Sequence, residues 1–263
     1  MSVLLRIVIP VYGQWELLAV ALESIEIARA RATAAGVVTQ VHVLDNGSFT
    51  PPPDDLQRWM DERLWIMYER WETNRGVTRP WNYGLHAAIA DAQADVVCIC
   101  NSDVVFGPRV IEQCVEAVTQ RGHGYACPRS IRGGPLPANW SAQNEALEGA
   151  PFEAVGGMQG WCFFLPRTTV EKVGYFDERF TLWYQDTQYH MRVAEAGLHL
   201  AEVWSCLLHH FESRTILSMP QQFECHGWRA RDTLAWNSWL AQWTACQPGD
   251  KHMCHVPYPG DRP

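Results

Sequence analysis

From its start the chain alternates short unbroken apolar runs with longer segments whose apolar residues recur every three or four positions. Unbroken runs read as strands buried on both faces, and the three-to-four spacing reads as amphipathic helix. Leu4–Tyr12 is the first strand, stopped by Pro10 and Gly13; Trp15, Leu18, Ala19, Leu22 and Ile25 then mark one face of a helix that Gly36 ends. Val41–Leu44 predicts a second strand closing in the acidic turn Asp45-Asn46-Gly47-Ser48. After the Pro51-Pro52-Pro53 loop, Asp54 or Asp55 caps a short helix through Arg63, and Trp65–Tyr68 is a third strand. The loop Glu72–Val77 precedes a helix through Trp81, Leu85, Ala88 and Ile89. Val96–Cys100 is the central strand, ending abruptly in Asn101-Ser102-Asp103, and a helix follows from Pro108 to Gln120. Strand and helix alternating four times over predict an α/β fold, a doubly wound and mostly parallel sheet with helices on both faces.

The pattern loosens after Tyr125. Residues 129–157 hold Gly133-Gly134-Pro135, Pro137 and Gly156-Gly157 with little periodicity, and an excursion of that length inside a domain is usually functional or mobile. Order returns with the strand Trp161–Leu165, a short helix to Val173, the turn Gly174–Glu178 and a helix through Tyr184 to Ala196. A last strand, Leu198–Trp204, leads into Leu208-His209-His210-Phe211. From Gln221 to Trp243, residues Phe223, Trp228, Leu234, Trp236, Trp239 and Leu240 predict a C-terminal amphipathic helix, packed on the domain or joining two copies as a homodimer.

Composition narrows the class. With 47% apolar and 19% charged residues over 263 positions, the chain has ample core and is not a disordered composition. A net charge of -8 argues against whole-surface binding to nucleic acid or anionic membrane, although Arg70, Arg75, Arg79, Arg129 and Arg132 could form a local basic patch. No run approaches the roughly 20 apolar residues of a membrane span. Met1–Arg6 has no leader-like pattern. Nine cysteines, an odd number without regular spacing, with Cys98 and Cys100 inside a buried strand, predict reduced thiols and a cytoplasmic location. Cys246, His252, Cys254 and His255 are of zinc-ligand type, at a spacing that matches no strong zinc template.

Three strand ends carry polar groups, Pro10-Val11-Tyr12, Asp45–Ser48 and Asn101–Asp103, and in a doubly wound sheet such ends converge where a nucleotide can lie. An aspartate after the second strand suits a base or ribose. One after the fourth suits Mg²⁺ or Mn²⁺, which bind through one or two carboxylates plus substrate phosphates. In each case the plainer reading is a turn residue or a helix cap.

The motifs IPVYGQWE, LDNGS, ETNRGVTRPWNYGL, NSDV, GWCFFLPRTTVEKVGYFDERF, YQDTQYHMRVAEAGL and HHFESRT follow in this order over residues 4–216. Together they resemble the family-2 glycosyltransferases of the GT-A fold. The resemblance implies transfer of a sugar from a nucleotide diphosphate sugar to an acceptor hydroxyl, with inversion and with Mn²⁺ or Mg²⁺. It implies a glycosyltransferase domain over 1–216, with 1–105 as the nucleotide-sugar half and 106–216 as the acceptor and catalytic half, followed by the 217–263 tail. By the same resemblance Pro10, Tyr12 and Asp45 line the base and ribose, Asn74, Arg75 and Gly76 close over the donor, and Arg79 and Asn82 lie nearby. Asp103 matches the metal-binding acid of an Asp-x-Asp motif. Asn101 replaces the first acid of that motif, with Ser102 between them, and one negative charge is lost.

Gly160 and Trp161 open the stretch that resembles the strand beneath donor sugar and acceptor. Asp186 matches the catalytic base, while Gln185 and Gln188 stand where acids are common. His209 or His210 matches a metal-binding histidine, with His209 favoured. A saccharide, lipid-linked or small-molecule acceptor is expected, read by the 129–157 region. Hydroxymethylated bases in DNA are the alternative acceptor, and a GT-A scaffold without chemistry is the alternative to catalysis.

Overall fold

The computed structural model describes residues 2–212 and 222–245. The Cys246/His252/Cys254/His255 cluster and the Ser213–Thr215 end of the last motif lie outside the described residues. Four strands, β1 (Val3–Val11), β2 (Val37–Asp45), β3 (Ile66–Arg70) and β4 (Val96–Cys100), pair in parallel in the order β3-β2-β1-β4. Their connections are α1 (Trp15–Ala34), α2 (Asp54–Asp61) and α3 (Thr78–His86), the last running on into a π-helical turn over Ala87–Asp91.

Beyond β4 the sheet becomes mixed. β5 (Val104–Phe106), α4 (Val110–Thr119), β6 (Tyr125–Arg132), α5 (Trp140–Glu145), β7 (Ala154–Val155), β8 (Cys162–Pro166), α6 (Arg167–Val173), α7 (Gln185–Glu195) and β9 (Leu200–His210) follow, and α8 (Gln222–Ala245) closes the described chain. The sheet continues β4-β8-β6-β9-β5, with β7 on β9. β8 runs antiparallel to β4, so its first residues come back to the end of the sheet where β4 finishes.

Strand alternation divides the core in two. Ile7, Ile9, Cys98 and Cys100 meet α1 and α4 on one face through Leu18, Leu22, Ile25, Ile111 and Val115. Val8, Val97 and Ile99 meet Trp81, Leu85, Phe163 and Tyr189 on the other. All five residues of β4 are fully buried, which is why its sequence shows no alternation. On that second face α3 packs closely on β1 at Gly84, where a Cβ would meet the Val8 side chain.

The sequence leaves β5 and β6 unassigned. β5 follows directly on the Asn-Ser-Asp turn, so Asp103 does not cap α4, whose N-cap is Arg109. Leu198–Trp204 and the His-His segment are one strand, β9. The 129–157 excursion is ordered locally as the end of β6, α5 and β7, and the buried Arg109 guanidinium donates to the carbonyls of Leu147 and Ala150 beneath it.

Candidate active site

A cleft of about 240 Å³ opens at the carboxyl ends of β1, β2 and β4. One wall is the strand-end residues Pro10, Val11, Tyr12 and Asn46, joined by Asn74, Gly76, Val77 and Trp81. The floor is Asn101-Ser102-Asp103 with Gly160 and Trp161, which the β4–β8 register brings opposite one another at Cys100 and Cys162. His210, Leu182, Gln185, Asp186 and, from α8, Trp228 complete it. Eleven of the residues expected at the site therefore share one cleft: Pro10, Tyr12, Asn74, Gly76, Asn101, Ser102, Asp103, Gly160, Trp161, Asp186 and His210.

The Asn74–Gly76 loop is held by Asn46, a residue the sequence reading quoted only as part of a turn. Asn46 Nδ2 donates to Asn74 Oδ1 at 3.0 Å and to the Gly76 carbonyl at 2.6 Å, and its Oδ1 accepts the Arg75 N–H at 3.0 Å. Gly47 makes this close approach feasible. Its φ is +77°, and a Cβ there would collide with the Thr73–Asn74 backbone. Tyr12 meets the exposed Phe49 ring at 5.8 Å, so two aromatic faces stand beside the entrance.

Asp45 stands behind the cleft rather than in its lining. Its fully buried carboxylate accepts the Ser48 N–H at 2.9 Å and the Tyr68 hydroxyl at 3.0 Å, with Arg70 Nε 3.3 Å away, so its polar capacity is used in shaping the turn. Burial and the Asp45 carboxylate push the Tyr68 phenol well up, against the lowering effect of Arg70, and so keep it a donor. Arg75 contributes its backbone N–H while its guanidinium lies 5.3 Å from the Trp71 ring. Arg79 pairs with Glu178 at 3.2 Å outside the lining. Asn82 is fully buried and ties α3 to the 176–178 segment through the Phe176 backbone and Glu178.

The two histidines separate cleanly. Adjacent residues of a strand point to opposite faces. The antiparallel register sets His210 opposite Val104, and Phe211 N–H donates to the Asp103 carbonyl at 3.0 Å. His210 Nε2 thus sits 3.2 Å from Asp103 Oδ1, and Trp161 stacks on its ring at 5.0 Å and 11°. Preference for His209 as the site histidine is corrected: strand alternation turns it to the far face, fully buried against Phe211 and with Trp140 at 6.4 Å. Burial pushes the His209 imidazole down, toward the neutral form.

Neither ring nitrogen of His210 has a hydrogen-bond partner, although both are buried beside a carboxylate. An unpartnered imidazole nitrogen and a carboxylate oxygen facing the same space suit a divalent cation whose remaining ligands come from substrate phosphates and water. Among the described residues no group of three or more His, Cys, Asp and Glu is gathered to hold a metal alone. The donor set therefore suits Mn²⁺ or Mg²⁺ brought with a diphosphate rather than a closed structural site.

Asp186 lies at the start of α7. Its carboxylate reaches the β8 approach because residue 160 has no side chain: a Cβ on Gly160 would overlap the Asp186 carboxylate. Burial raises its pKa above the ordinary aspartate value, against the hydrogen bond from the Thr187 N–H at 2.8 Å, which lowers it. The neighbouring Gln185 Oε1 is buried in the cleft lining without a partner. Gln188 does different work. Fully buried, it accepts from Arg192 Nε at 3.0 Å and faces away from the cleft. Trp183 and Tyr184, the aromatic pair just before Asp186, are not among the lining residues; Tyr184 stacks on Trp236 of α8 instead.

Residues 6–185 match the family described as Glycosyl transferase family 2. The chain belongs to that family. Its GT-A fold is shared with a solved structure described as "Crystal structure of GalNAc-T7 with UDP, GalNAc and Mn2+" at a TM-score of 0.61 and 14% identity. That likeness covers 79% of this chain and 43% of the other, so this family-2 chain spans less than half of that chain. A search of the curated proteins found no match. No helix among the described residues is long and apolar enough to cross a membrane.

Proposed function

We propose that this family-2 glycosyltransferase moves a sugar from a nucleoside diphosphate sugar to an acceptor hydroxyl, with inversion and with a divalent metal. The observation that carries the proposal is the meeting of Asp103, His210 and Asp186 in one cleft that the Asn74–Gly76 loop borders. The related fold bound to UDP and Mn²⁺ supports the same donor class.

Asp103 and His210 would hold the cation, which when bound offsets the negative charge on the leaving diphosphate. Tyr12 and Pro10 offer an apolar wall for the base, and Asn101 offers an amide to a ribose or sugar hydroxyl. Asp186, ionised, accepts the proton of the acceptor hydroxyl as that oxygen attacks the anomeric carbon. Its raised pKa makes it a stronger base than a surface aspartate. Attack from the side opposite the leaving diphosphate inverts the centre.

A saccharide or small hydroxyl-bearing acceptor accords with the half-buried Trp228 and Trp161 rings in the lining. The arginines that suggested a polyanion are largely engaged elsewhere. Arg70, Arg79 and Arg132 stand within 3.3, 3.2 and 3.7 Å of Asp45, Glu178 and Glu212.

The test is thermal unfolding with UDP, GDP, dTDP and CMP, each with and without Mn²⁺. A ligand that binds only the native state raises the melting temperature. One nucleotide is expected to give a rise that requires metal, is lost in Asp103→Ala and His210→Ala, and survives in His209→Gln. No metal-dependent rise with any nucleotide would overturn the proposal.

A further inference from the structure

The helix α8 lies wholly beyond the residues that match the family, yet it supplies a fully buried carboxylate to the segment leading into Asp186. Asp232 Oδ2 accepts the backbone N–H groups of Thr181, Leu182 and Trp183 at 2.9, 2.8 and 3.0 Å, and Oδ1 accepts that of Thr181 at 3.0 Å. Three peptide N–H dipoles converge on this carboxylate and stabilise its charge. One turn further along α8, Trp236 stacks on Tyr184 at 5.2 Å and 14°. Tyr184 holds a φ of +70°, a left-handed conformation that costs a non-glycine residue free energy and persists where the surroundings impose it. One turn back, Trp228 lines the cleft. Residues at i, i+4 and i+8 share a helix face, so a single stripe of α8 grips residues 181–184 and also borders the cleft.

We infer that Asp232 is a positioning residue for transfer: it fixes residues 181–183, and through the left-handed Tyr184 it fixes the first turn of α7, so that Asp186 stands against Gly160. The inference rests on the transfer reading above. It separates base placement from donor binding, because the Asn74–Gly76 loop has its own clamp in Asn46. The two regions touch at Thr181, whose carbonyl accepts the Val77 N–H at 2.7 Å and whose side chain packs on Gly76, where a Cβ would collide with it.

The experiment compares the full chain with Asp232→Ala and Asp232→Asn, using amide hydrogen exchange and the hydrolysis, in Mn²⁺ with water as acceptor, of the sugar nucleotides whose nucleotide gives the metal-dependent melting rise. In Asp232→Ala, exchange at Leu182, Trp183 and the Gln188 N–H that closes the first turn of α7 is expected to speed at least tenfold, while β1 and β4 amides stay protected. The kcat for hydrolysis is expected to fall at least tenfold with KM for the sugar nucleotide changed less than threefold. Asp232→Asn keeps one oxygen for Leu182 and Trp183 and should recover part of kcat. Unchanged exchange at Gln188 would overturn the inference, as would equal losses in kcat and in donor affinity accompanied by loss of β-strand protection. The transfer reading is decided separately by the metal-dependent melting test above, and the exchange result decides on its own whether Asp232 holds the segment and the first turn of α7.

Discussion

A methyl group at residue 160 would stand where the Asp186 carboxylate now lies. Gly160→Ala should therefore leave the fold intact and push the carboxylate aside. Displacement by about 1 Å can cost on the order of 10²-fold in rate, so hydrolysis and transfer are expected to fall by about that factor while nucleotide binding holds. A variant with full turnover would show that Asp186 works from elsewhere. The raised pKa of Asp186 adds a pH signature. The base acts ionised, so kcat/KM is expected to drop as pH falls through a value above that of a free aspartate. The stability sign is the opposite. A folded carboxyl with a raised pKa binds more protons than the unfolded one, so ionising it destabilises as pH rises through that window. Asp186→Asn should accordingly melt no lower than the wild type at neutral pH while losing turnover, and a lower melting temperature there would contradict the burial argument.

At the scale of elements, the loop clamped by Asn46 is built from one side chain and two backbones. Asn46→Ala removes three hydrogen bonds, leaving the Gly76 carbonyl and the Arg75 N–H without theirs while Asn74 Oδ1 keeps the Gly76 N–H, and a single buried unsatisfied group costs about 1–3 kcal/mol. Metal-dependent nucleotide binding should weaken along with stability, measured by titration calorimetry and denaturant unfolding, whereas an unchanged affinity would detach this loop from the donor. The parallel half was legible in the sequence because its strands are buried on both faces and end in turn chemistry, as Val96–Cys100 and Asn101-Ser102-Asp103 illustrate. β5 escaped because three apolar residues directly after a turn carry no period. β6 escaped because its second half, Arg129–Arg132, is polar and partly exposed. The histidine choice depended on strand phase, which the pair His209-His210 cannot reveal by itself. Asp232 gave no signal, since an aspartate in a helix looks like surface until the backbone it faces is known.

Across the whole molecule, the cleft draws on β1, β2, β4, β8, β9 and α8, and so on nearly the full described length of the chain. The feature that keeps its last strand in phase is the irregularity in the β6–β9 pairing. Pro128 faces Val203 but the next residue, Arg129, faces Leu207, so Trp204, Ser205 and Cys206 have no partner on β6. Downstream of that bulge, Leu208–His210 pairs with β5 and presents His210 to Asp103. Ser205 and Cys206 are buried against α4, with Ser205 Oγ donating to Gln113 Oε1 at 2.7 Å, so over evolutionary time this three-residue surplus should keep its length. A single-residue indel between Leu207 and His210 would exchange the two histidines, and lineages that carry one should also be rewritten at Trp161, whose ring lies flat on the imidazole that would have turned away.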